Sequence, residues 1–446
     1  MSTVIRCGKL VTGNPSGDIL SNASIEIRDR RIVAIHPNDE RRIPARESDV
    51  VDAPGMVAIP GLIQTHVHLC QTLFRGLADD LQLLDWLQKK IFPFEAAHTA
   101  TSMYASARTG IAELIRSGTT TILDMGSIHH EEEIIRAIGE GGLRAFVGKA
   151  MMDLNDAYPK LKESTSLSLT STRDLAERWH NSYEGRILYA VAPRFVLSCT
   201  EQLLKGAGEM AASVPGMLYH THASENTGEV AAVRKRTGME NIEYLHHLNI
   251  LTDRVCLAHC VHLSEREVGI LASTRSNVAH CPSSNLKLGS GIATIPDLMS
   301  RGINVSLGAD GAPCNNTLDM FQEMRLASLI QKPVHGPVSM PARTVFEMAT
   351  INGARALGLD KDIGSIEAGK KADIVLLNLD HVWNPVEAGN DLYSAIVYSA
   401  GPENVDSVMI DGRWLYRGRS FSGIDQENIL TQSKIELKNL LQRVES

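Results

Sequence analysis

The middle of the chain, from about residue 60 to 369, alternates short apolar runs with segments of helix length. This alternation is typical of parallel strands joined by helical crossovers. Eight such units fit a (β/α)8 TIM barrel, an α/β fold. The predicted strands cover residues 59–66, 119–125, 143–151, 186–194, 217–222, 255–260, 277–280 and 304–310.

Strand-like sequence returns at both ends of the chain. Short apolar runs separated by Gly, Asn, Asp and Pro fill residues 1–58, and a similar texture covers 370–423. Each piece alone would leave edges and apolar faces exposed, so we expect the two to meet in one small β-sandwich domain. The predicted organisation is a composite β domain from 1–58 and 370–423, a (β/α)8 barrel over 59–369, and a terminal helix over 424–446.

Composition argues against several classes of protein. The formal net charge is -8, whereas a nucleic-acid surface needs a basic stripe. The first residues do not resemble a signal peptide, and no run approaches the roughly 18 apolar residues of a membrane helix. The seven cysteines are scattered and form no CxxC pair, which favours reduced thiols. We therefore expect a cytoplasmic protein that binds neither nucleic acid nor a membrane.

A pair of histidines, His66 and His68, follows the first apolar run of the barrel. Side chains two apart on a strand point to the same side, so both imidazoles would project together at the strand's end. Such a pair is half of a metal site, although it is also compatible with a polar strand end.

The ends of later strands supply further metal ligands. Predicted strand five ends in a second HxH pair, His220 and His222, strand six carries His259, and strand eight ends at Asp310. In a barrel these ends converge on one pocket. Three imidazoles and a carboxylate suit Zn2+ or Fe2+, and such an ion supplies hydroxide near neutral pH.

Spacing alone does not decide which histidine of the second pair is a ligand. His222 is preferred because it lies nearer the strand end and precedes Glu225, whose carboxyl group could carry protons without coordinating. The alternatives are an exposed loop charge for Glu225 and a buried core histidine for His259.

Seven motifs resemble those of the amidohydrolase superfamily, in the branch that contains guanine deaminase, methylthioadenosine and S-adenosylhomocysteine deaminases, and the s-triazine chlorohydrolases. The resemblance runs nearly end to end and keeps the same order. The motifs are PGLIQTHVH (60–68), SGTTT (117–121), HASE (222–225), LAHC (257–260), HCPSSN (280–285), GADG (308–311) and GKKAD (369–373).

This resemblance implies one divalent metal ion held by four side chains, with Zn2+ preferred and Fe2+ as the alternative. The implied ligands are His66, His68, His222 and Asp310. Members with two metals use a carboxylated lysine at the end of strand four, and predicted strand four contains no lysine. The family also suggests a homodimer or a higher homo-oligomer.

The implied reaction replaces an exocyclic amine on a purine or purine nucleoside by hydroxyl and releases ammonia. Asp310 takes a proton from the nucleophilic water, Glu225 protonates the neighbouring ring nitrogen, and His259 stabilises the new hydroxyl group. A chlorohydrolase acting on an s-triazine or another N-heterocycle is the alternative, but it need not protonate its leaving group. A non-catalytic scaffold would be expected to lose ligands or Glu225, and all are present.

The resemblance is divided over the substrate. Trp86 and Glu95 match the thioether deaminases, in which a tryptophan packs on the nucleoside and a glutamate binds the ribose. Gln71 and Arg194 instead match guanine deaminase, and both can donate hydrogen bonds to a carbonyl-bearing purine. Each of the four also has a structural alternative: a core anchor for Trp86, a surface charge for Glu95, a supporting residue for Gln71, and an ion-pair member for Arg194.

Overall fold

A computed structural model describes residues 2–38, 48–381 and 391–445. Its central element is a curled parallel sheet whose strand order follows the chain. Strands three and eight are each broken in two. The barrel strands one to eight are Leu62–His68, Thr119–Asp124, Arg144–Val147 with Ala150–Met151, Ile187–Pro193, Leu218–Ala223, Val255–His259, Asn277–His280, and Val305–Leu307 with Asp310–Gly311.

The two pieces of strand eight close the barrel. Val305–Leu307 pairs in parallel with strand seven, and Asp310–Gly311 pairs in parallel with strand one. The predicted eight-stranded barrel is therefore confirmed. Helices lie between the strands. The α-helices of six or more residues up to strand eight are Ala100–Arg116, Glu131–Gly141, Thr165–Trp179, Glu201–Ser213, Thr227–Thr237, Asn241–His247, Glu265–Thr274, Pro282–Lys287 and Ile295–Ser300.

Beyond strand eight the chain continues as helices before it reaches the small sheet. Short turns such as Ala312–Asn315 and Lys332–His335 separate them. The longer helices here are Met320–Leu329, Ala342–Met348 and Ile351–Ala356. The backbone amide of Ile63, on strand one, donates to Ala349 O at 2.8 Å, which ties this helical segment to the barrel wall.

The small domain is one mixed sheet of eight strands drawn from both ends of the chain. In spatial order these are Ser420–Phe421, Arg413–Arg417, Val405–Ile410, Ile374–Leu377, Ser48–Pro60, Ser2–Val11, Ile19–Arg28 and Arg31–His36. The two ends join where Ser48–Pro60 pairs antiparallel with Ile374–Leu377. Parts of the predicted β domain, 39–47 and 382–390, lie outside the described residues, and the domain bounds remain predictions.

A fully buried ion pair fixes the small sheet to the barrel. Nε and Nη2 of Arg144, on strand three, each donate to one carboxylate oxygen of Asp373 at 3.0 Å. Two parallel charge-assisted hydrogen bonds set both distance and orientation. The pair therefore holds the GKKAD segment against the barrel wall.

The segment after strand one folds over the mouth of the barrel. Its turns are Leu69–Phe74, Leu83–Trp86, Leu87–Ile91 and Phe92–Ala96. Most of their apolar side chains form one buried cluster that also includes Leu440 of the terminal helix. That helix, predicted over 424–446, spans Gln426–Glu445, and Nε of Arg443 donates to Ala97 O at 2.7 Å.

Within the described ranges, no helix combines the length and the apolar character needed to cross a membrane.

Candidate metal centre and substrate cavity

Four predicted ligands converge at the carboxyl ends of strands one, five and eight. The ligand atoms of His66, His68, His222 and Asp310 all lie within 4.8 Å of one another. Nε2 of His66 and of His68 lie 3.3 and 3.4 Å from Oδ1 of Asp310, and Nε2 of His68 lies 3.2 Å from Nε2 of His222. The register explains the convergence, because Asp310 pairs with Val67 on strand one.

The donor set fits a divalent cation. Burial, together with the neighbouring His66, holds the pKa of His68 and of His222 well below the ordinary value, so both rings are neutral. Nδ1 of His222 donates to Arg194 O at 2.6 Å, which leaves the Nε2 lone pair directed into the cluster. Converging lone pairs beside a buried carboxylate repel one another unless a cation lies between them.

His220 does not belong to this cluster, although the sequence could not separate it from His222. It lies deeper in the barrel, where its Nε2 is 2.8 Å from Nδ1 of His66. The preference for His222 thus agrees with the geometry.

Asp310 is held in place by its surroundings. Oγ of Ser284 donates to Oδ2 at 2.6 Å, and the amide of Gly311 donates to Oδ1 at 2.7 Å. Asp310 has φ +63°, and His259 has φ +75°. Left-handed backbone is costly for residues with a Cβ and persists where the surrounding structure enforces it. Both side chains thereby reach the cavity.

Glu225 and His259 lie beside the cluster. Nε2 of His259 lies 3.5 Å from Oε2 of Glu225 and 3.9 Å from Oδ2 of Asp310. Burial raises the pKa of Glu225 to about 7, and the nearby charge of Asp310 adds to this effect. A carboxyl group with such a pKa can both give and take a proton near neutral pH. Glu225 is buried and so is not an exposed loop charge, and both residues border the cavity.

A cavity with about 460 Å³ of empty space, part of it open to solvent, lies above these residues. Three of the four predicted substrate residues, Gln71, Trp86 and Arg194, line it. The other lining residues are His68, Leu83, Leu87, Phe195, His222, Ala223, Glu225, Glu229, His259, Leu288 and Asp310.

Glu95 does not line the cavity but ties two lining residues together. Nη1 and Nη2 of Arg194 donate to its two carboxylate oxygens at 2.6 and 3.1 Å, and Nε2 of Gln71 donates to Oε1 at 2.8 Å. All three are buried. Glu95 is therefore an ion-pair member rather than a surface charge, and it is bonded to Gln71 and Arg194, the two residues that match guanine deaminase.

Sequence reasoning missed several supporting residues. Oε2 of Glu229 accepts from the amide of Glu225 at 3.2 Å, and Oδ1 of Asn285 lies 2.9 Å from Nδ1 of His259. Ser290 lies 3.5 Å from Glu225. The sequence cues were positional: Glu229 lies four residues after Glu225, in the first turn of the next helix, and Asn285 ends the HCPSSN motif. Ser290 had no such cue.

The closed barrel with its His3Asp cluster defines a metal-dependent hydrolase. Residues 57–415 match the amidohydrolase family, and the chain belongs to it. Two relatives are similar over nearly their whole length. A 5-methylthioadenosine/S-adenosylhomocysteine deaminase of Moorella thermoacetica is 39% identical, with 94% of this chain and 95% of the relative covered. A 5'-deoxyadenosine deaminase of Methanothermobacter thermautotrophicus is 41% identical, with 94% and 96% covered.

A solved structure is also similar to this chain over nearly its whole length. The crystal structure of an adenosine deaminase from Xanthomonas campestris with bound zinc is similar to this chain, with a TM-score of 0.91 and 29% identity. The comparison covers 99% of this chain and 98% of that one. The chain is therefore a hydrolytic enzyme of the amidohydrolase family that acts on a C–N bond.

Proposed function

We propose that this enzyme is a hydrolytic deaminase that replaces an exocyclic amine on a purine or purine nucleoside and releases ammonia. The proposal is carried by one observation: the His66, His68, His222 and Asp310 cluster shares a cavity with the acid–base pair Glu225 and His259. The relatives named as deaminases support it.

The four clustered side chains would hold one divalent ion, with Zn2+ preferred over Fe2+. When bound, such an ion supplies a Lewis acid that makes water nucleophilic near neutral pH. Asp310 accepts the proton of the attacking water, and Ser284 and the Gly311 amide hold its carboxylate in position. Glu225 then protonates the ring nitrogen beside the carbon under attack, so that negative charge does not accumulate there.

His259 hydrogen-bonds the new hydroxyl group of the tetrahedral centre. Its distances to Glu225 and Asp310, 3.5 and 3.9 Å, allow all three groups to contact one reacting carbon and its substituents. The proton held by Asp310 passes to the amine and the C–N bond breaks, so that ammonia leaves. The hydroxyl group becomes the carbonyl of the product, and its proton returns to Glu225, which restores the acid.

The relatives favour an adenosine-type nucleoside, with Trp86 packing on the substrate. A purine that bears a carbonyl group is the second candidate. Arg194 and Gln71 line the cavity and are held by Glu95, whose two oxygens already accept three hydrogen bonds and so have little capacity left for a ribose. Arg194 has five N–H donors, and the ion pair uses two of them.

The chlorohydrolase alternative is less well supported. Displacement of chloride needs no proton for the leaving group, whereas the cavity brings together Asp310, which can pass a proton to an amine, and Glu225, which can protonate the ring nitrogen. A cytoplasmic location and a homo-oligomeric state also remain predictions.

A substrate panel tests the proposal. Protein loaded with one Zn2+ or Fe2+ per chain is assayed for ammonia with 5'-deoxyadenosine, methylthioadenosine, S-adenosylhomocysteine, adenosine, guanine, 8-oxoguanine, a pterin and melamine. We expect turnover of at least one purine compound. Absence of ammonia from every member by the metal-loaded enzyme would refute the deaminase assignment, and release of chloride from a chlorotriazine alone would favour the alternative.

A further inference from the structure

His220 is a buried histidine that the proposed reaction does not use. It lies on strand five, two residues before His222, and its side chain is fully buried. It contacts two groups on different strands. Its Nε2 lies 2.8 Å from Nδ1 of His66 on strand one, and its Nδ1 lies 2.9 Å from Cys256 O on strand six.

These two contacts fix where the hydrogens lie. A carbonyl oxygen can only accept, so Nδ1 of His220 carries a hydrogen and donates it to Cys256 O. In a neutral ring the other nitrogen, Nε2, then has a lone pair and accepts. Nδ1 of His66 must therefore carry the hydrogen that bridges the two rings. Nε2 of His66 is left with a lone pair, 3.3 Å from Asp310.

The opposite placement of the hydrogens on the two rings is disfavoured at the contact between His220 and Cys256 O. If Nε2 of His66 carried the hydrogen, Nδ1 of His66 would accept one from His220. Nδ1 of His220 would then face Cys256 O at 2.9 Å with two lone pairs opposed. In the buried interior that arrangement loses a hydrogen bond and adds a repulsion.

We propose that His220 is a positioning residue that holds His66 in the tautomer required of a metal ligand. Because Nδ1 of His220 donates to Cys256 O, Nε2 of His220 must accept, and it accepts the hydrogen of His66 Nδ1. The inference rests on the proposed metal-dependent function. It assigns to the first histidine of the strand-five pair a role distinct from coordination.

Two substitutions separate this role from simple core packing. His220→Leu removes both hydrogen bonds, whereas His220→Gln keeps a donor and an acceptor on one side-chain amide. His280→Leu is a matched control. His280 is a fully buried barrel histidine whose ring nitrogens make no hydrogen bond within the described parts of the chain.

The first measurement is the zinc affinity of metal-free protein, obtained by competition with a chromophoric chelator. We expect H220L to bind zinc about 10–100-fold more weakly, the usual effect of losing a partner that orients a ligand. H220Q and H280L should stay close to wild type. Zinc binding by H220L equal to wild type, or binding by H220Q as weak as by H220L, would overturn the proposal.

The second measurement is the tautomer itself, read from long-range proton–nitrogen correlations of histidine-labelled, metal-free wild-type protein. We expect a hydrogen on Nδ1 of both His66 and His220, with Nε2 of His220 accepting, and a hydrogen on Nε2 of His220 would overturn the inference. This measurement uses wild-type protein, so it tests the inference even if H220L does not fold. If wild type shows the expected tautomer but binds no zinc, the proposed function fails and the positioning role has no ligand to serve, whereas normal zinc binding by H220L removes only the role of His220.

Discussion

The substitution Glu95→Gln breaks the ion pair between Arg194 and Glu95 and keeps the side chain nearly the same in shape. About 4% of each side chain is exposed, and Arg194 also lies over the ring of Phe92 at 5.3 Å. Glutamine removes the negative charge and leaves a buried guanidinium without its counter-ion. Breaking a buried pair in this way costs about 3–5 kcal/mol. Because the amide oxygen still accepts one hydrogen bond, we expect the lower end, about 3 kcal/mol.

The assay is urea unfolding of metal-free protein, followed by tryptophan fluorescence. Two further variants complete the design. Glu95→Gln combined with Arg194→Met removes both charges, so it should recover much of the lost stability. Glu201→Gln breaks the exposed pair between Glu201 and Lys205 and should change stability little. An ordinary surface substitution changes the free energy of unfolding by about 0.5 kcal/mol or less. If the free energy of unfolding of E95Q lies within that range of wild type, the reasoning about this buried pair is wrong.

Three further predictions concern catalysis. Glu225→Gln should lower kcat about 10²–10⁴-fold while zinc content stays at one per chain, and unchanged turnover would remove its acid–base role. Because burial raises the pKa of Glu225 to about 7, its acid form is present below that pH and is lost as the pH rises through it; a bound cation shifts the loss to lower pH. We therefore expect kcat to fall as the pH rises, with the fall beginning at or below about pH 7, and a flat profile from pH 6 to 9 contradicts this. Dialysis against a chelator should abolish ammonia release and added Zn2+ should restore it; full activity in protein shown to contain no metal would exclude the proposed centre.

Much of the barrel could be predicted because its strands are buried on both faces. Strands such as Thr119–Asp124 therefore appear in the sequence as short apolar or β-branched runs. The break in strand eight was not predicted. Gly308 lies where an added Cβ would come within 3 Å of the backbone of His66, so that point of the chain needs a residue without a side chain.

The site was predictable to the extent that strand ends converge in a barrel. His66, His222 and Asp310 could be grouped by that rule without any distance information. The role of Glu95 could not, because its partner Arg194 lies about 100 residues away and only the folded chain brings them together. The same holds for His220, since its place beneath His66 depends on the register between distant strands.

The pairing of Pro60 with Ile374 has a consequence for how the protein is made. The strand that leads into the two ligand histidines cannot find its antiparallel neighbour until about 310 further residues have left the ribosome. At ~5–20 residues per second, that strand waits roughly 15–60 s with an open edge. Nascent chains stalled before Ile374 should therefore aggregate or recruit chaperones more than the full-length chain does.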